Sequence, residues 1–239
     1  MRVASLCRQG LWGRGVRAPQ RRFAALAVIP ALLYYLTLRF YPVGHAAVMS
    51  LFDWQLLRQA QVFVGLDNYR LTLSDPGFLR VVVNTLYYAI AATLLTTGLG
   101  LAVALSLQPV RHGSGTIRLL YFLPQMTSTV AVAVVWRWLY QTRFGLFNQV
   151  LGMAGLPRIN WLTSTAWAMP SMILIGLWGG VGYNAVIYFA GLRSIPTAYY
   201  EAAAIDGAGQ WQVARLITLP LLSPIITFTL VTGLIGGFN

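Results

Sequence analysis

For acid–base, metal or thiol chemistry this 239-residue chain offers five acids, two histidines and one cysteine. They do not converge in sequence. His45 and His112 stand alone near the ends of apolar runs, and Asp53, Asp67 and Asp75 are spread through one polar stretch. Cys7, in an arginine-rich start, excludes an internal disulfide and a thiolate metal cluster. Lysine is absent, so the glycine-rich phosphate loop that ends in Gly-Lys cannot exist here. The sequence therefore predicts no catalytic residue, no metal site and no ATP hydrolysis by the chain itself. What remains is recognition, concentrated between Leu192 and Pro224. Glu201 in that stretch is the only glutamate of the protein, and Asp206 is the only other acid beyond residue 75.

Local signals in the stretch spell a short helix. Pro196 can open one, Thr197 to Asp206 are mostly good helix formers, and Gly207 is a natural left-handed stop. About ten residues of helix are marginal alone in water. Small side chains, Tyr199 and Tyr200, and the single acid Glu201 suit a helix that lies in another protein's groove.

Glu201-Ala202-Ala203, Asp206-Gly207-Ala208, and then Ile217, Leu219 and Pro220, resemble in order and spacing the EAA motif of ABC-importer permeases. The chain departs from that motif at Ala214, where members often carry an aromatic residue. The resemblance implies an all-α polytopic membrane protein with the type I ABC-importer permease fold. It also implies that Tyr200, Glu201, Ala202, Ala203, Asp206, Gly207 and Ala208 form a coupling helix that docks on an ATPase subunit, with Pro196, Leu219 and Pro220 at its joints. ATP and magnesium would then be used by the partner, with no cofactor on this chain.

The elements that must carry this helix are apolar. The chain is 57% hydrophobic and 9% charged, against about 25% charged for a typical soluble domain. Runs of about twenty residues, each long enough to cross some 30 Å of hydrocarbon, fall at about 23–41, 81–107, 119–140, 167–191 and 221–238. These are the five expected spans, with Pro30 a possible kink in the first and a coupling loop at 192–220. Gly176 and Gly180 match a GxxxG pattern in the fourth, and Pro220 and Pro224 read as a fixed break before the fifth. Residues 1–22 carry six of the 17 arginines and read as a disordered basic cytoplasmic tail rather than a signal peptide, because Phe23 to Tyr41 exceeds a signal core and no small-x-small site follows directly. Arginine placement then puts loops 109–118 and 192–216 inside and loops 42–79 and 141–166 outside. The resembled family usually has six spans, so a C-terminal truncation is expected. A net charge of +12 could suggest nucleic acid, but the arginines flank apolar runs instead of forming a stripe with aromatics on a soluble fold.

Substrate signals are thinner. Gly65-Leu66-Asp67-Asn68-Tyr69, with Asp75, Phe78 and Asn84-Thr85, and the group Trp178, Gly182-Tyr183-Asn184 and Ala190-Gly191-Leu192 are similar to the multiple-sugar, maltose and glycerol-phosphate permeases. That likeness implies a bacterial cytoplasmic-membrane importer with an ATP-binding subunit dimer, a second and non-identical permease and an extracytoplasmic solute-binding protein. Tyr183 and Asn184 are the candidate substrate-path residues; an Asn within a span also suits an interhelical hydrogen bond. The alternatives are an importer of glycerol phosphate or another small polar solute, and a stand-alone membrane carrier. The last would normally need an ionisable residue inside a span, and the apolar runs contain no Asp or Glu.

Overall fold

A computed structural model describes residues 18–54, 62–107 and 114–238. Residues 1–17 of the expected 1–22 tail, with Cys7, and residues 108–113, with His112, lie outside them; residues 18–22 are not tail but the start of a helix that opens at Ala18. The chain divides into two compact units, Met1–Phe78 and Leu79–Asn239.

In the first unit, α1 (Ala18–Tyr35) contains Pro30 and passes through a π-helical turn, Leu36–Phe40, into α2 (Tyr41–Met49). The helix thus runs eight residues past the expected end at Tyr41. Pro42 does not stop it, because the turn before it widens: the Tyr41 N–H bonds the Leu36 carbonyl five residues back. That register accommodates a proline, which lacks an N–H and clashes with the carbonyl four residues earlier. A two-stranded hairpin follows, β1 (Phe52–Asp53) against β2 (Val62–Phe63), with Phe52 opposite Phe63. Helix α3 (Asp67–Ser74) is tied back to it. The Asn68 side chain donates to the carbonyls of Ser50 at 2.9 Å and Phe52 at 3.0 Å, and the Tyr69 and Ser50 hydroxyls meet at 2.6 Å. Gly65 takes φ +58, a left-handed turn that favours glycine. The Gly65–Tyr69 motif therefore builds this fold.

The second unit is built around α4 (Pro76–Leu107), whose start is capped by Asp75 through the backbone N–H groups of Gly77 and Phe78. Its 32 residues reach about 48 Å at 1.5 Å per residue, more than the hydrocarbon core of a bilayer. Small residues let α8 (Ala168–Ser194) lie close beside it. A Cβ on Gly176 would sit 3.0 Å from the Tyr88 hydroxyl, one on Gly180 2.8 Å from Thr96, and one on Gly100 2.7 Å from Asn184. Both glycines of the GxxxG pattern thus face α4, and α4 and α8 run parallel. Helix α11 (Leu219–Gly237) returns antiparallel, with Gly233 against Thr93 and Gly237 against Ala89.

Between α4 and α8 the chain forms α5 (Ser114–Met126), α6 (Thr129–Leu139) and α7 (Leu146–Met153). The expected continuous third span at 119–140 is not continuous. Leu119–Met126 and Thr129–Leu139 are bent by 100° at a break. Pro124 lacks a helix-bonding N–H, and the triplet Thr127-Ser128-Thr129 ends one helix and begins the next. Among the described residues four other helices are long and apolar enough to cross a membrane: Leu26–Met49, Pro76–Leu107, Ala168–Ser194 and Gln210–Gly237. With the bent pair counted as one span the total is five.

One end of this unit is closed by aromatic side chains from Trp136, Tyr140, Phe147 and Trp161, with ring centroids 5.3–6.0 Å apart. Asn148 is 3% exposed among them. Its Nδ2 donates to the carbonyls of Thr142 and Ile159, and its Oδ1 accepts from the Ile159 N–H and the Trp161 indole.

Candidate functional site

The opposite end carries the stretch singled out by its acids. Helix α9 (Thr197–Ile205) follows α8 directly, with Pro196 as its N-cap and φ −59. It ends in a Schellman motif: the Gly207 N–H bonds the Ala204 carbonyl at 3.2 Å, the Ala208 N–H bonds that of Ala203 at 2.9 Å, and Gly207 takes φ +71. Of the four carbonyls that a helix end normally leaves free, those of Ala203 and Ala204 are thereby bonded, which lets so short a helix stand out of the fold.

Its faces are unequal. Ala203 is 6% exposed and Tyr200 is half-buried, packed on the cluster of Ala104, Tyr188, Leu192, Ile195 and Leu222. Ala104 in that cluster places the C-terminal end of α4 beside the C-terminal end of α8. Glu201, Ala202, Asp206 and Gly207 are exposed, Ala208 is half-buried, and Tyr199 and Ile205 are 51% and 87% exposed. A carboxylate and two apolar side chains are held outward on a helix whose other side is anchored.

The exit from this helix differs from expectation. Pro220 and Pro224 do not make a break. Helix α10 (Gln210–Val213), a π-helical turn Ala214–Thr218 and α11 form one 28-residue helix, Gln210–Gly237. As before Pro42, the turn before Pro220 widens, and the Leu219 N–H bonds the Ala214 carbonyl five back. The irregular part of the expected 192–220 loop is thus confined to residues 195–196 and 206–209. Gln212 closes the new helix start by accepting from the Gly209 N–H at 2.8 Å.

The two candidate path residues part company. Asn184 is 8% exposed and packs on Gly100, inside the α4–α8 contact. Tyr183 is 43% exposed. It lies one turn from Gly179, where a Cβ would be 4.0 Å from the Gln125 Oε1. The broken helix therefore passes α8 near the middle of its length. Gln125, Met126, Thr127, Ser128 and Thr129 are all exposed there.

Residues 75–239 match the family described as "Binding-protein-dependent transport system inner membrane component". The chain belongs to this family. It is a transmembrane permease of the ABC-importer type. The permease is 34% identical over 218 residues to the "Probable ABC transporter permease protein YurN" of Bacillus subtilis (strain 168), an alignment that covers 90% of this chain and 74% of the relative. It is 31% identical over 220 residues to the "Trehalose/maltose transport system permease protein MalF" of Thermococcus litoralis, covering 92% and 75%. It is 33% identical over 216 residues to the "Lactose transport system permease protein LacF" of Rhizobium radiobacter, covering 88% and 71%. A crystal structure of a bacterial ABC transporter involved in the import of the acidic polysaccharide alginate superimposes with a TM-score of 0.76 at 26% identity, covering 90% of this chain and 73% of that one.

For a permease the break at Met126–Thr129 acquires meaning that the sequence reading missed. Interrupted backbone at membrane depth leaves N–H and C=O groups that lipid cannot satisfy, so it is tolerated only against protein or water. Local bonds cover part of the need: the Thr127 N–H reaches the Pro124 carbonyl at 3.3 Å and its hydroxyl the Leu123 carbonyl at 3.0 Å. The polar triplet 127–129 inside an apolar run was the available signal.

Proposed function

We propose that this permease forms half of a path for a sugar or sugar-like solute, which reaches it on an extracytoplasmic binding protein. A pair of separate ATPase subunits would supply the energy, using ATP and magnesium, and a second, non-identical permease would form the other half. The observation that carries this reading is α9 itself: a capped helix with Glu201 outward, anchored by Tyr200 and Ala203, and joined at both ends to long apolar helices.

In this reading α9 faces the cytoplasm, as does the N-terminus. Closure of the ATPases on ATP pushes α9, and α8 and α11 tilt with it, switching the path from inward- to outward-facing. Glu201 pairs with a cation of the ATPase, while Tyr199 and Ile205 fill apolar ground beside it. Within the path, Gln125, the hydroxyls at 127–129 and the Tyr183 ring offer hydrogen bonds and an aromatic face, which suit the hydroxyls and apolar face of a sugar. Relatives named for trehalose/maltose and lactose support that class.

Reconstitution of the full transporter in proteoliposomes, with a panel of labelled di- and oligosaccharides, tests the reading. Uptake of a carbohydrate that requires both ATP and the binding protein is expected. Uptake by the permease alone, driven by a proton or sodium gradient, would overturn it in favour of a stand-alone carrier.

A further inference from the structure

The buried side of α9 holds a contact that the docking reading leaves unused. The Tyr200 hydroxyl lies 3.4 Å from the Thr218 Oγ1, and Thr218 is 2% exposed at the end of the π-helical turn. The Thr218 hydroxyl in turn faces the Val213 carbonyl, also at 3.4 Å, five residues back. A hydroxyl has one proton to give. With Thr218 donating to Val213, the phenol of Tyr200 donates to Thr218, and a chain of polar contacts runs from α9 into the widened turn.

The same helices are pinned further along. The Tyr188 hydroxyl, fully buried, bonds the Thr229 Oγ1, which also reaches the Ile226 carbonyl at 2.9 Å. Gly191 of α8 lies so near α11 that a Cβ would come 2.8 Å from Leu222. Three successive contacts thus join α8, α9 and α11. Only the first involves the moving helix, and it falls where α11 has its π-helical register, the place where a helix yields most readily.

We propose that Tyr200 and Thr218 are positioning residues for transport: through this contact the displacement of α9 is carried into the base of α11, so that α8, α9 and α11 move together. This rests on the reading of α9 as the ATPase-docking helix. Thr218 touches neither solute nor ATPase in that reading. It governs how much of each ATP cycle reaches the path.

The test is a double-mutant cycle in the reconstituted full transporter, with uptake per ATP hydrolysed as the readout. Thr218→Val keeps the shape and removes the hydroxyl; Tyr200→Phe keeps the ring. Each single change is expected to lower uptake per ATP by about threefold, the worth of a weak hydrogen bond. The double variant should be no worse than either single one, and Thr218→Ser should restore coupling. The ATPase should co-purify with Thr218→Val as with wild type. Wild-type uptake per ATP in Thr218→Val and Tyr200→Phe, or additive losses in the double variant, would overturn the proposal. Loss of the ATPase from Thr218→Val would overturn it too, since Thr218 would then serve folding or docking. Absence of the ATPase from wild type contradicts the docking reading instead.

Discussion

Gly182 of α8 lies against the backbone of Tyr121 in α5 so closely that a Cβ at Gly182 would overlap the Tyr121 carbonyl oxygen. This crossing fixes where the broken helix passes α8. The obstacle is backbone, so it cannot swing aside as a side-chain tip would. Gly182→Ala should destabilise the folded permease by about 3 kcal/mol or more, the upper range for overpacking. Gly98→Ala, with nothing within 4 Å of the added carbon, should be neutral. Thermal unfolding in detergent compares the two.

Asn148 is predicted to be the most sensitive polar residue at the aromatic end. Its amide serves two carbonyls, a backbone N–H and the Trp161 indole from a nearly sealed position. Asn148→Leu leaves those groups unpaired, at about 1–3 kcal/mol for each that stays buried. Limited proteolysis should then cut within 140–167 far faster than in wild type, with a red shift of tryptophan emission.

Tyr183 and Asn184, adjacent in sequence, should separate in function. Tyr183→Ala is expected to raise the KM for uptake with the complex intact. Asn184→Ala should leave the KM unchanged, and Asn184→Leu should lower stability because its added bulk meets Gly100. A raised KM in Asn184→Ala with normal assembly would return Asn184 to the path.

The break in the third span gives a labelling test. In a Cys7→Ser background, Ser128→Cys should react with a small polar maleimide, and transported solute should slow the reaction. Failure to react in the assembled transporter would mean that the break is packed against protein.

How much of this was legible in the sequence depends on the range of the forces involved. Helix α9 was readable to within a residue because Pro196, a run of helix formers and Gly207 act locally. The spans were readable because hydrocarbon imposes length and composition. The breaks were not. The first span was expected to end at Tyr41 and Pro220 with Pro224 to make a break, yet a wider turn before Pro42 and before Pro220 carries each helix through. The bend at 126–129 leaves the run apolar enough to read as one span, and only the polar triplet 127–129 marked it. The place of Asn184 was set by Gly100, 84 positions away on another helix, which no local pattern reports.

The docking of α9 on an ATPase is tested most directly by affinity purification of the tagged permease, co-expressed with its genomic neighbours, wild type beside Glu201→Arg. Glu201 is exposed on α9, so the substitution spares the fold while reversing the charge offered to the partner. Recovery of an ATPase with wild type and its loss with Glu201→Arg is the expected result. An ATPase recovered equally with both, or with neither, would contradict α9 as the docking site.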